Sequence, residues 1–135
     1  RRAYLFTLAL LMLVLTSCAQ GPSAVIEDRS DEYAGTQDAG RAVVSLLAKA
    51  KQHENQTQWE RAAALLERAL RIEPRNAYLW HRLANIRLQQ GRYGMAESLA
   101  EKSNALAKDD QALQRRNAEL IETARRLMRM NQAAG

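Results

Sequence analysis

The sequence predicts an all-α fold of paired helices, and three observations carry that expectation. From Arg41 onward the apolar residues return every three to four positions, the spacing that gives a helix one buried stripe. The chain has only 6 Gly and 2 Pro in 135 residues and 5% aromatics, too few turn and strand formers for a β-sandwich. The same segment also matches itself when shifted along the chain, with Trp59 falling over Tyr93, Ala50 over Ala84, Ala62 over Ala96 and Ala69 over Ser103. Leu46 then falls on Trp80 and Leu66 on Ala100. A fixed period of that length marks stacked helical units.

Two segments of different chemistry precede the repeats. Arg1 and Arg2 lead a nearly unbroken apolar run from Ala3 to Thr16. That is the layout of a secretory signal, and it is shorter than a membrane-spanning helix of about 20 residues. The run Leu15-Thr16-Ser17-Cys18 that follows resembles a bacterial lipobox. The resemblance implies a lipoprotein signal peptide, residues 1–17, cleaved before Cys18, whose thiol receives a diacylglycerol and whose amine receives a further acyl chain such as palmitate. Several acyl chains hold a protein on a membrane, where a single one would not. Ala19 follows the cysteine where retained lipoproteins carry Asp; by similarity to sorted lipoproteins this implies the outer membrane, with the chain facing the periplasm.

Residues 18–40 form the expected lipidated tether. They hold three Gly, one Pro and five acids against Arg29 alone, a net of −4, and show no periodicity. Too little apolar surface is available to offset the cost of ordering, so the segment reads as a flexible acidic linker.

The helical part follows at 41–131, with a short disordered tail expected at 132–135. Its pattern gives helices over about 41–55, 58–72, 77–90, 93–107 and 111–130. Gly91 suits the left-handed residue that ends one helix before the next, and Pro74 stops propagation at the end of the first unit. Asp109 and Asp110 open the last helix, where negative charge suits the helix dipole. That helix carries Leu113, Leu120, Ile121, Ala124, Leu127 and Met128 on one stripe, as a terminal cap must if it is to seal an apolar face.

The period that carries Trp59 onto Tyr93 resembles the tetratricopeptide repeat, with Trp80, Leu83, Ala84, Gly91, Tyr93 and Ala96 in the second unit and Trp59, Ala62, Ala69 and Pro74 in the first. The resemblance implies two helical hairpins and a C-terminal capping helix. His53 and Arg87 depart from the pattern, standing where a large aromatic is common; Thr57 takes the place of Gly91 in the first repeat, and Lys108 stands where Pro is usual. Two repeats are few for a solenoid, which points to a homodimer or to docking on a partner.

No catalytic constellation is visible. The single Cys excludes an internal disulfide or a multi-thiolate zinc site, and lipidation would remove it from catalysis. His53 and His81 stand far apart in the chain without a carboxylate at ligand spacing, so no metal is expected. Nor is there a phosphate-binding glycine loop or a nucleophile elbow, and no cofactor follows. Function must then be argued from a binding surface.

Tetratricopeptide domains bind peptides or protein surfaces in the groove lined by the first helix of each pair. By that resemblance the groove presents Val44, Leu47 and Lys51, then Tyr78, His81, Asn85, Leu88 and Gln89, then Arg115 and Glu119. Tyr78 and His81, three apart, share a helix face and are expected to project together. The layout of lipobox, short linker and small repeat domain resembles the LpoP-type lipoproteins of pseudomonads, which activate a bifunctional (class A) penicillin-binding protein. That resemblance implies a partner in peptidoglycan synthesis. Two other readings stand beside it: a pilotin-like scaffold for a secretin, pilus or outer-membrane complex, and a basic surface for anionic glycan or lipid headgroups. The full chain carries 20 bases against 15 acids, or +5. Residues 41–135 alone carry 17 against 10, or +7, with thirteen of the bases Arg. An exported chain does not meet nucleic acid, so the basic balance predicts an acidic patch on a protein partner.

Overall fold

The computed structural model describes residues 27–134, with side chains from residue 37 onward. The signal segment, Cys18 and the tether up to residue 26 lie outside the described residues. Five helices follow in order: α1 (Glu27–Asn55), α2 (Trp59–Ile72), α3 (Ala77–Gln89), α4 (Tyr93–Leu106) and α5 (Gln111–Ala133). No strand occurs among the described residues. The repeat unit spans Thr36–Gly135. Within it α1 pairs with α2 and α3 with α4 through shared cores, while α5 packs on α4 and touches α3. This is the expected arrangement of two hairpins and a cap.

Two boundaries differ from expectation. Helix α1 begins at Glu27, so residues 27–40, read as flexible linker, are helical. No proline interrupts 27–40, and extending a helix already nucleated downstream costs far less than starting one. At the other end α5 continues to Ala133, into the tail expected to be disordered, because nothing before Gly135 breaks a helix.

Three helix ends have a clear local cause. The Asn76 side chain accepts from the backbone N–H of Tyr78 (3.1 Å) and Leu79 (3.3 Å), capping α3. Asp110 caps α5 by accepting from the Leu113 N–H at 2.9 Å. Helix α2 stops at Ile72, just before Pro74, whose carbonyl accepts the Trp80 indole N–H at 2.8 Å and so ties the two repeats together.

The cores rest on small residues. Ala50, Ala62, Ala84 and Ala96 are all fully buried, letting paired helices approach where a longer side chain would wedge them apart. Leu66, Leu70, Leu79, Leu83 and Ile86 fill the first core, with Trp59 and Trp80 packed over it. The second core joins Ala84, Ala96 and Ala100 to Leu120 and Ala124 of α5, with Tyr93 and Ile121 at its edge. The cap therefore buries the face predicted for it. Arg87, in the place of an aromatic, is only 8% exposed; its guanidinium bonds Glu67 of α2 and donates to Gln90 at 2.8 Å. Its methylene stem fills the space of a ring while the charge stays paired.

The two hairpin turns share one backbone design. Gly91 has φ 73° and Thr57, in the equivalent position, has φ 55°. In both, an N–H reaches back five residues: Gln58 donates to the His53 carbonyl and Arg92 to the Arg87 carbonyl, each at 2.9 Å. The left-handed region is costly for a β-branched residue, at about 1–2 kcal/mol, and free of that cost for glycine. Thr57→Gly is therefore expected to raise unfolding stability by about 0.5–1 kcal/mol in denaturant titration, and Gly91→Thr to lower it by a similar or larger amount.

Candidate functional site

The expected groove residues divide into three groups. Lys51 and Tyr78 fall in one patch. The Lys51 ammonium lies 3.8 Å from Glu54, Glu54 bonds Arg82 of α3, and the Arg82 guanidinium sits 5.8 Å from the centre of the Tyr78 ring. A cation over an aromatic face is held by the ring quadrupole and orients both groups. Burial opposes the charge on Arg82, but the Glu54 hydrogen bond and charge prevail and hold it more firmly protonated than usual. Tyr78 itself is 43% exposed and borders a cleft of about 650 Å³ lined also by Arg75, Lys108 and Leu113. Tyr78 is thus an exposed aromatic ring held against the Arg82 guanidinium.

His81 does not project beside Tyr78. It is 8% exposed, and both ring nitrogens are engaged: Nδ1 lies 2.7 Å from the Asn117 carbonyl oxygen, and Nε2 lies 3.0 Å from the Asn85 amide nitrogen. These contacts fit a neutral ring that donates from Nδ1 and accepts at Nε2. The cap helix α5 crosses over this position and removes it from solvent, which helical phase within α3 could not reveal. Asn85 is half-buried in the same cluster, and its amide also donates to the His81 carbonyl at 3.2 Å.

From Asn117 the network runs inward. Its amide donates to the Ser103 hydroxyl (2.8 Å) and to the Asn104 side chain (2.9 Å), while the Ser103 hydroxyl donates to the Ala77 carbonyl at 2.8 Å. Asn117 and Ser103 are completely buried. Their bonds join α3, α4 and α5 at one point. Neither residue was singled out as polar core from the sequence, although a signal existed. Asn117 interrupts the stripe Leu113, Leu120, Ala124, and Ser103 replaces the alanine of the first repeat.

The remaining expected residues do not join either cluster. Leu88 packs against the second core. Gln89, Arg115 and Glu119 are exposed, and their side chains carry no hydrogen bond or ion pair among the described residues. Val44 is 67% exposed, while Leu47 is half-buried against the first core. Among the described residues no three His, Cys, Asp or Glu are placed to hold a metal, and no helix is long and apolar enough to cross a membrane.

Burial holds the His81 imidazole below its usual pKa of 6.5; the Asn117 hydrogen bond works against this, and Arg116 and Arg82 add to the lowering. The unfolded chain thus takes up a proton near pH 6.5 that the folded chain accepts only at lower pH. Stability from this group is complete above that value and is lost as pH falls below it toward the folded pKa. Thermal melts from pH 7.5 to 5 should show that decline, and His81→Gln should flatten it. Asn117→Ala, which strands the His81 donor, is expected to cost about 2 kcal/mol in the same melts.

A family model described as tetratricopeptide repeat matches residues 55–118, which contain α2, α3 and α4 in full. No curated protein gives a significant match. Solved structures do, and among them is the globular C-terminal domain of P. aeruginosa LpoP. It is 40% identical, superimposes with a TM-score of 0.63, and the match covers 64% of this chain and 81% of that one. An identity of that level across most of a domain carries more than a shared fold. The chain is a tetratricopeptide-repeat protein and belongs to the LpoP family.

Proposed function

We propose that this protein is an outer-membrane-anchored periplasmic module that binds a bifunctional peptidoglycan synthase, a class A penicillin-binding protein, and raises its activity. The observation that carries the reading is the 40% identity to the LpoP globular domain over 81% of its length. The lipobox ending at Cys18 and the segment between it and α1 would supply an anchor and a short tether. Helical repeats of this family serve as interaction modules, and the buried, fully bonded His81 is unavailable as an acid or base.

An activator of this kind changes an enzyme only through unequal affinity for its states. A rigid module suits that task, because a surface that does not adapt discriminates between two shapes of its partner. On this reading Lys51 and Tyr78 form the anchor end of the contact, with Asn85, Leu88, Gln89, Arg115 and Glu119 extending it and His81 bracing it from within. The groove is assigned to protein and to no cofactor.

Glycan polymerisation by the purified synthase, with and without the full chain carrying Cys18→Ser in mild detergent, tests the reading. Stimulation of about fivefold or more is expected, the lower end of ordinary coupling between sites. Tyr78→Ala should weaken binding about tenfold, as truncation of a central aromatic anchor does. An unchanged rate, with a secretin and no synthase recovered from envelope extracts, would make the protein an assembly scaffold instead.

A further inference from the structure

The described carboxylates are largely spent on arginines. Glu54 holds Arg82, Glu67 holds Arg87, Glu60 faces Arg92 at 3.5 Å, Glu97 holds Arg125 at 2.6 Å, and Glu122 faces Arg129 at 3.4 Å. Other cations lack such a partner, and three of them share one cleft. Lys49 of α1 and Arg68 and Arg71 of α2 are exposed and have no carboxylate partner among the described residues. All three line one cleft of about 450 Å³ between the two helices of the first hairpin. Leu46, half-buried, and Ile72, 39% exposed, lie between them. Like charges gathered in one cleft oppose folding, and an arriving anion relieves that repulsion.

The cleft does not end there. Arg71 also borders a second cleft of about 430 Å³, where Trp80 and Pro74 offer apolar surface beside Glu67, whose carboxylate is held by Arg87. The indole there is fixed by its bond to the Pro74 carbonyl at 2.8 Å. By helical phase, Leu46 and Lys49 lie on the side of α1 away from Val44 and Lys51, so this surface is distinct from the groove.

We propose that the α1/α2 cleft is a second docking site, which takes an acidic segment of a partner protein bearing apolar side chains. Charge complementarity selects the acid: three unpaired cations meet carboxylates at a rim, where electrostatics guides encounter and excludes basic partners. The apolar floor selects a polypeptide over a small anion. Leu46 and Ile72, with Trp80 beyond Arg71, bury side chains between the charged contacts, the arrangement of an interface with an apolar centre and a polar rim. Only the identity of the partner rests on the function proposed above; the chemistry of the segment rests on the cleft.

The test uses a labelled twelve-residue peptide of Glu with Leu at every third or fourth position, titrated into the full chain carrying Cys18→Ser and followed by fluorescence anisotropy. The triple reversal Lys49→Glu, Arg68→Glu, Arg71→Glu should weaken binding at least about tenfold. The control Lys102→Glu, Arg116→Glu, Arg126→Glu should stay within about twofold of the parent. Circular dichroism melts establish that both variants are folded. Salt at about 0.5 M should weaken the parent, since the screening length falls to about 4 Å. Failure of the parent to bind, or equal loss in both variants, overturns the site. So does a dependence on the three cations seen only with vesicles containing phosphatidylglycerol. If the peptide binds through the cleft and the synthase neither binds nor responds, the proposed function falls and the site stands. If the synthase responds equally to parent and triple reversal and the peptide does not distinguish them, the site falls and the function stands.

Discussion

Helices can pair this closely only if the side chains at their crossing are small. Ala50 and Ala62 share the core of the first hairpin and Ala84 and Ala96 that of the second, each with no exposed surface. A larger residue there would force the backbones apart at about 1–3 kcal/mol. Everything else in the unit is fitted to that spacing. Trp59, Trp80 and Tyr93 cover what the alanines leave open, and the turns at Thr57 and Gly91 must reverse the chain within the same short distance. Because the spacing recurs with the period of the repeat, the second hairpin copies the first, down to the bond that closes each turn. An array of this kind still exposes an apolar face at its end. Helix α5 covers it with Leu113, Leu120 and Ala124.

The cap is also where the unit gives up apolar packing for polar contacts. A fully buried Asn117 bonded to His81, Ser103 and Asn104 gains little net energy over a well-packed apolar cluster. It does demand one register of α5 on α3 and α4, since a one-turn slip would leave the buried polar groups of the network without partners. The network thereby ties helices α3 and α5 together, the two helices to which the proposed function assigns most of the binding surface. A binding surface spread over separate helices is only as well defined as their separation, which links the buried amide to the exposed Tyr78.

Much of this was legible in the sequence. The helices, their pairing, the alanine contacts and the capping role of α5 follow from periodicity and internal repetition, which report how side chains meet within and between neighbouring helices. Two things did not follow. The start of α1 near Glu27 depends on propagation from an already packed helix, which weak local composition conceals. The burial of His81 depends on Asn117 of a distant helix, and helical phase on α3 is silent about what lies over it. Tyr78 and Lys51 are linked through Glu54 and Arg82, whose pairing between separate helices has no local signature.

The proposed function places all the work in a difference of affinity, and a rigid domain with a fixed aromatic anchor is the physical means. The direct measurement is the dissociation constant of the full chain for the class A synthase, determined once with the synthase free and once with it held in its substrate-bound, polymerising state. The account predicts tighter binding to the active state by about fivefold or more. Equal affinity for both states would contradict it, because a ligand that does not distinguish two states cannot shift the balance between them.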